Sequence, residues 1–231
     1  DRGKVSPELR DAALQRLAGT TVLDIAVDGA DLVIEAVPEV LELKQSLFSS
    51  VESHVDQHTV LGTNTSSLSV AKIGSVLTNP ERLVGLHFFN PVHIMKLLEV
   101  ISHPGTANDV MDKIQAFGAD IGKECIYVQD FPGFATSRLG VCLGMEAIRM
   151  LEQGVASAQD IDAAMVLGYR HPVGPLKLTD MVGLDVRLHI GEYLAEELGN
   201  PAFEPPQLMR EMVSAGKLGK KSGQGFYDWS S

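Results

Sequence analysis

Cysteine is scarce in this sequence: two in 231 residues, Cys125 and Cys142. They form no Cys-x-x-Cys pair, which excludes a thiolate zinc site and a disulfide framework. Free thiols fit a reducing compartment, and the expected location is cytoplasmic. Basic residues are outnumbered, 19 Lys and Arg against 30 Asp and Glu, for a net charge of −11. So acidic a chain is a poor binder of nucleic acid or of anionic membranes. No apolar run approaches the roughly 18 residues that a membrane helix needs. No basic-then-apolar leader opens the sequence, so no secretion signal is visible. What is present is ordinary for a globular protein: 45% hydrophobic and 21% charged residues, over a length that suits one large domain or two modest ones.

Ser6-Pro7-Glu8 reads as a helix start, with Ser as cap, Pro preorganised at the first position and Glu at the positive end of the dipole. Leu9, Ala13, Leu14 and Leu17 then mark a helical stripe over 7–18. The sequence begins at Asp1 without Met and is already helical here, so a preceding segment is expected. Residues 32–37 and 59–63 read as buried strands, with helices over 41–55 and 68–76. This alternation implies βαβ units and a parallel sheet covered on both faces. It breaks at 82–89 and 95–101, two strand-like runs joined by a turn at Asn90-Pro91. A helix over 106–120 and a strand over 124–128 follow. After Phe131-Pro132-Gly133 the pattern becomes helical, over 134–152, 176–198 and 206–215, with a capping box at Ser157-Ala-Gln-Asp160. We expect an α/β domain over 1–130 and an all-α domain over 131–231.

The chemistry concentrates in the two strand-like runs. If they fold back on one another about position 93, His87 faces Glu99, since (87 + 99)/2 = 93. Opposed residues in an antiparallel pair have Cβ atoms about 4.5–5.5 Å apart. A carboxylate on one ring nitrogen fixes the tautomer and leaves the other free to accept a proton. That is how a general base for alcohol oxidation is built. A histidine near a strand end is also an ordinary structural residue, and spacing alone leaves both readings open.

His87-Phe-Phe-Asn90-Pro-Val with Met95-Lys-Leu-Leu-Glu99 resembles the signature of the L-3-hydroxyacyl-CoA dehydrogenase family. Ordered matches run from about Ala30 to the end of the sequence. They include Glu35-Ala-Val-Pro-Glu39, Thr63-Asn64-Thr65-Ser66-Ser67, Asp130-Phe-Pro-Gly-Phe134, Val182-Gly-Leu-Asp185 and Gly219-Lys-Lys221-Ser-Gly-Gln-Gly-Phe-Tyr227. The resemblance implies a Rossmann-type NAD domain and a helical domain that forms a homodimer. It also implies NAD as cofactor and an acyl-CoA substrate, short-chain such as 3-hydroxybutyryl-CoA. His87 would be the catalytic base, Glu99 its orienting partner, and Ser66 a hydrogen-bonding group at the reacting oxygen and the nicotinamide. Glu39, Lys44, Asn90 and Lys221 match positions near the cofactor, and Ser137 one near the substrate. Ser66 could equally cap the helix that follows it, and Lys221 could be a solvated charge. Two rival readings are a sister enzyme on sugar acids such as L-gulonate, and a catalytically silent structural relative.

The sequence departs from the family pattern twice. No GxGxxG phosphate loop precedes Ala30, so the Rossmann unit is expected to be truncated at its N-terminus and to hold NAD poorly as written. Ser137 also stands where many members carry Asn, and it reaches less far. Other candidates are weaker. His54 and His58 have a metal-compatible spacing but no third ligand in view. Met145, Met150, Met165 and Met181 read as flexible packing. Lys217, Lys220 and Lys221 form a local basic cluster, with a use if the ligand is anionic.

Overall fold

The computed structural model describes residues 5–230. Two short helices, α1 (Pro7–Leu14) and α2 (Leu23–Val27), lead into β1 (Leu32–Glu35). Then come α3 (Leu41–Glu52), β2 (Val60–Thr63), α4 (Val70–Gly74), β3 (Leu83–Phe88), β4 (Leu97–Ser102), α5 (Asn108–Asp120) and β5 (Glu124–Gln129). The five strands form one sheet in sequence order. β1, β2 and β3 run parallel, β4 is antiparallel to β3, and β5 is parallel to β4. Successive strand residues face opposite ways, and the two sheet faces divide accordingly. Leu61, Leu83 and Ile101 pack with Phe48, Val51 and Ile73 beneath α3 and α4. Their neighbours Val60, Val84 and Val100 pack with Val110 and Ile114 of α5 on the other face.

After β5 the described residues form no further strand. The helices are α6 (Thr136–Glu152), α7 (Ala158–Gly168), α8 (Pro175–Val182), α9 (Leu184–Leu198) and α10 (Gln207–Ser214). They enclose a second core centred on Met145, Ile148, Leu176, Leu184 and Leu194. Ser157 caps α7 by accepting the Asp160 amide at 3.1 Å, and its hydroxyl donates to the Asp160 carboxylate at 2.6 Å.

Three elements differ from the sequence expectation. The stretch over 176–198 is two helices, because Gly183 sits at φ 110°, where the helix cannot continue. The first helix ends at Leu14 rather than residue 18, and its apolar residues are exposed. The short α2 was not expected; five residues with no side-chain cap carry almost no periodic signal.

Two carboxylates fix the chain's last turns. The Asp180 carboxylate, fully buried, accepts the amides of Phe226 and Tyr227, each at 2.9 Å, and the Trp229 indole N–H at 2.8 Å. Asp162 accepts the first free amides of α8, from Leu176 and Lys177, and the Tyr227 hydroxyl at 2.7 Å.

Candidate active site

In a parallel sheet the loops after the strands gather at the carboxyl edge, where ligands bind. Here that edge carries Glu39 after β1, Asn64 to Ser67 after β2, and His87 near the end of β3. The antiparallel register sets His87 directly opposite Glu99, the pairing expected about position 93. The imidazole Nδ1 lies 2.9 Å from Glu99 Oε2. With Glu99 ionised, Nδ1–H donates and Nε2 carries the lone pair. No side chain or backbone group among the described residues hydrogen-bonds Nε2. Phe89 and Phe134 wall the ring, at centroid distances of 4.5 and 6.1 Å.

Glu99 is completely buried and receives four hydrogen bonds. Oε1 accepts the amides of Ala135 and Thr136 at 2.8 and 3.1 Å; Oε2 accepts His87 and, at 2.7 Å, the Thr136 hydroxyl. Burial by itself would push the carboxyl up. The donors from His87, the Thr136 hydroxyl and the two amides outweigh it and hold Glu99 below the usual carboxylate range. The amides belong to the start of α6, so a strand of the sheet and a helix of the second core meet at one carboxylate. A turn through Gly133 and Phe134, both at positive φ, aims those amides at Glu99.

A cavity of about 310 Å³ opens at this point, between the sheet edge and the helices. Ser66, His87 and Phe89 form one side; Ser137, Val141 and Arg187 belong to the other. A second cavity of about 540 Å³ adjoins it, lined by Val37, Glu39, Asn64, Ser66, Ile190 and Tyr193 among others. Ser66 lines both, and its hydroxyl has no partner among the described residues. The Ser137 hydroxyl donates to the Ser66 carbonyl at 3.2 Å, which ties the two serines together.

Glu39 does not reach outward alone. One oxygen accepts the Thr65 hydroxyl at 2.6 Å and the amides of Ser66 and Ser67 at 2.8 and 3.1 Å, so it shapes the loop that presents Ser66. Burial opposes its charge, but those donors and Lys44 hold its carboxyl below the ordinary range. Burial also pushes the Tyr193 hydroxyl up to about 12, assisted by Glu197, Asp130 and Glu39, so it stays a neutral phenol facing the second cavity.

Three residues expected near the cofactor line neither cavity. Lys44 is buried, 2.7 Å from Glu35 and 3.3 Å from Glu39, so it supports the loop and lines neither cavity. Asn90 is exposed, before a cis peptide to Pro91, and also lines neither; Asn64 does, and accepts the Phe88 amide at 2.9 Å. Lys221 Nζ donates to Asp185 at 2.6 Å. Sequence reasoning missed Thr136 and Arg187. The signal for Arg187 was available: 184, 187, 191 and 194 are the buried register of α9, and a cation stands in it. The imidazoles of His54 and His58 make only local hydrogen bonds, and the described residues contain no His, Cys, Asp or Glu cluster suited to a metal.

Residues 1–131 match the family model for the 3-hydroxyacyl-CoA dehydrogenase NAD binding domain, and residues 133–229 match that for the C-terminal domain of the same enzymes. The chain belongs to the 3-hydroxyacyl-CoA dehydrogenase family. It is 41% identical over 229 residues to the 3-hydroxybutyryl-CoA dehydrogenase of Mycobacterium tuberculosis, covering 98% of this chain and 80% of that one. It is 41% identical over 227 residues to the mitochondrial hydroxyacyl-coenzyme A dehydrogenase of Rattus norvegicus, covering 98% and 72%. The crystal structure of M. tuberculosis FadB2 superposes with a TM-score of 0.94 at 41% identity, over 98% of this chain and 80% of that one. That of the (S)-3-hydroxybutyryl-CoA dehydrogenase PaaH1 from Ralstonia eutropha gives 0.94 at 38%, over 99% and 80%.

The family's cofactor fits the residues present. The larger cavity lies at the carboxyl edge of parallel strands, offers the Ser66 hydroxyl and Asn64, and joins the cavity that holds His87. A nicotinamide held there would be next to the imidazole. The described residues contain no glycine-rich strand–loop–helix unit to seat a pyrophosphate.

Proposed function

We propose that this dehydrogenase oxidises a short-chain L-3-hydroxyacyl-CoA, such as 3-hydroxybutyryl-CoA, to the 3-oxoacyl-CoA, with His87 and Glu99 as its general base. The observation that carries this is the His87–Glu99 hydrogen bond, with Nε2 left free in the cavity shared with Ser66. Bound NAD supplies the hydride acceptor. His87 Nε2 takes the proton of the 3-hydroxyl as the C3–H bond breaks and the carbonyl forms. The resulting imidazolium is stabilised by Glu99, which stays ionised because four donors hold it so. In the reductive direction the same imidazolium returns the proton. The Ser66 hydroxyl donates to the reacting oxygen, and Ser137 positions Ser66 through its carbonyl. Glu39 and Asn64 hold the loops about the nicotinamide end.

The same reading makes the helical domain a homodimer interface. Leu139, Leu167 and Tyr169 are 73, 80 and 76% exposed, a large apolar area for α6 and α7 to leave in water. The free thiols Cys125 and Cys142 suit a reducing compartment such as the cytoplasm.

The test is His87→Gln, which keeps a hydrogen-bonding side chain of similar reach but removes the basic lone pair. In the full-length protein, assayed at the NADH band with acetoacetyl-CoA, kcat is expected to fall by about 10²–10⁴. Acyl-CoA affinity should change by no more than about threefold. An unchanged kcat would remove His87 from the chemistry.

A further inference from the structure

Three cations are buried among the described residues: Lys44, Arg82 and Arg187. Lys44 faces Glu35 and Arg82 faces Glu52. Arg187, 7% exposed, faces no carboxylate. Its one hydrogen bond runs from Nη1 to the Gly140 carbonyl, which leaves four of its five N–H donors unused by the protein. Desolvation with no compensating acid pushes the guanidinium down to about 10, so it remains a cation at neutral pH. Burying an unpaired charge is costly.

The surroundings are built to admit this group. Gly140 and Gly144, one turn apart on α6, leave a groove in which the guanidinium lies. A Cβ at Gly144 would stand 3.0 Å from Arg187 Nη1, so a larger residue there would press on it. Arg187 lines the cavity that holds His87 Nε2 and Ser137, and the remaining wall is largely apolar: Val141, Leu178, Val182 and Ile190. A short carbon chain suits that wall; an anion suits Arg187.

We propose that Arg187 recognises a carboxylate in the acyl cavity, so that the preferred substrates are 3-hydroxyacyl-CoA thioesters whose acyl chain ends in a second carboxyl group. This rests on the acyl-CoA reading above and narrows its substrate class. The planar guanidinium fork accepts a carboxylate in a two-point contact. Without such a contact the extra negative charge would weaken binding to a chain of net charge −11.

Calorimetric titration of the full chain tests this without turnover. Succinyl-, glutaryl- and adipyl-CoA are compared with butyryl-, valeryl- and hexanoyl-CoA of matched length. At one of these lengths the carboxylated ligand is expected to bind at least about tenfold more tightly, the ordinary worth of a charge-assisted hydrogen bond. Arg187→Met should abolish that preference while changing affinity for the plain acyl-CoA less than about threefold, and Arg187→Lys should keep part of it. Equal or weaker binding of every carboxylated ligand by the unaltered protein overturns the proposal, and needs no variant to fold. So does an Arg187→Met loss shared equally by both series, which would assign Arg187 to the CoA or thioester portion. Free adipate binding as tightly as adipyl-CoA would make the ligand a free dicarboxylate and overturn it as well. Failure of all six thioesters to bind would instead overturn the acyl-CoA reading, and this inference with it.

Discussion

At His87 the direction of proton transfer is decided by which ring nitrogen carries hydrogen. Glu99 as a carboxylate can only accept, so Nδ1 must donate and Nε2 stays basic. Glu99→Gln changes that choice. The Gln carbonyl is required by the Ala135 and Thr136 amides, which turns its NH₂ toward His87. The imidazole then accepts at Nδ1 and holds its proton at Nε2, where it cannot serve as base. Glu99→Gln should therefore lose about 10²–10⁴ in kcat. An unchanged kcat in a folded Glu99→Gln would make Glu99 a structural residue only. The same variant has a stability signature. Glu99 is depressed in the folded state below its ordinary 4.5, so its contribution is complete above about pH 4.5 and disappears as pH falls through the folded value. Urea midpoints from pH 7 to pH 3 should fall less steeply for Glu99→Gln than for the parent.

Among the elements, the tail beyond Leu218 is irregular yet tied to α8 by hydrogen bonds to a buried carboxylate. Asp180 anchors it by accepting two amides and an indole N–H. Asp180→Ala leaves those donors without a partner, and each buried unsatisfied group costs about 1–3 kcal/mol. With water meeting part of the need, a Tm lowered by about 5–15 °C is expected in thermal unfolding. A change below 2 °C would mean that the tail is not coupled to α8. Such coupling is invisible in the sequence, where Asp180 is one acid in a helical stretch and its partners lie 46 to 49 residues on. What was legible had a local cause: the alternation of strand and helix, the Ser157 cap, and the β3–β4 register that follows from turn position alone. What was not legible needed a third dimension. The resemblance alone places Lys44 near the cofactor, and its burial was not legible because its partner Glu35 is nine residues away on another element. The break at Gly183 was hidden because apolar spacing continues on both sides of it. Thr136 reaches Glu99 only through the left-handed turn at Gly133 and Phe134.

For the whole molecule, the decisive feature is that the proposed acid–base pair lies in the sheet but is held in place from the helical half as well. Glu99 bonds His87 within the sheet and the first amides of α6 outside it, so the two cores are registered at the acid–base pair itself. Anything that holds α6 and α7 steady therefore steadies the proposed base. On the homodimer reading, the exposed Leu139, Leu167 and Tyr169 would take such a support from a second copy packed against the helical face. At about 25 cal/mol per Å² of apolar surface removed from water, covering side chains of this size on both copies supplies several kcal/mol toward association. Sedimentation equilibrium should accordingly give twice the 24.9 kDa chain mass. Leu167→Glu together with Tyr169→Glu would place two like charges per copy in that contact. It should yield monomers, a lower Tm, and reduced kcat through loosened registry of α6 rather than through any contact with substrate. If the doubly substituted protein still sediments as a dimer, the contact lies on another face. If it is monomeric with full activity, the registry at Glu99 needs no support from a second copy.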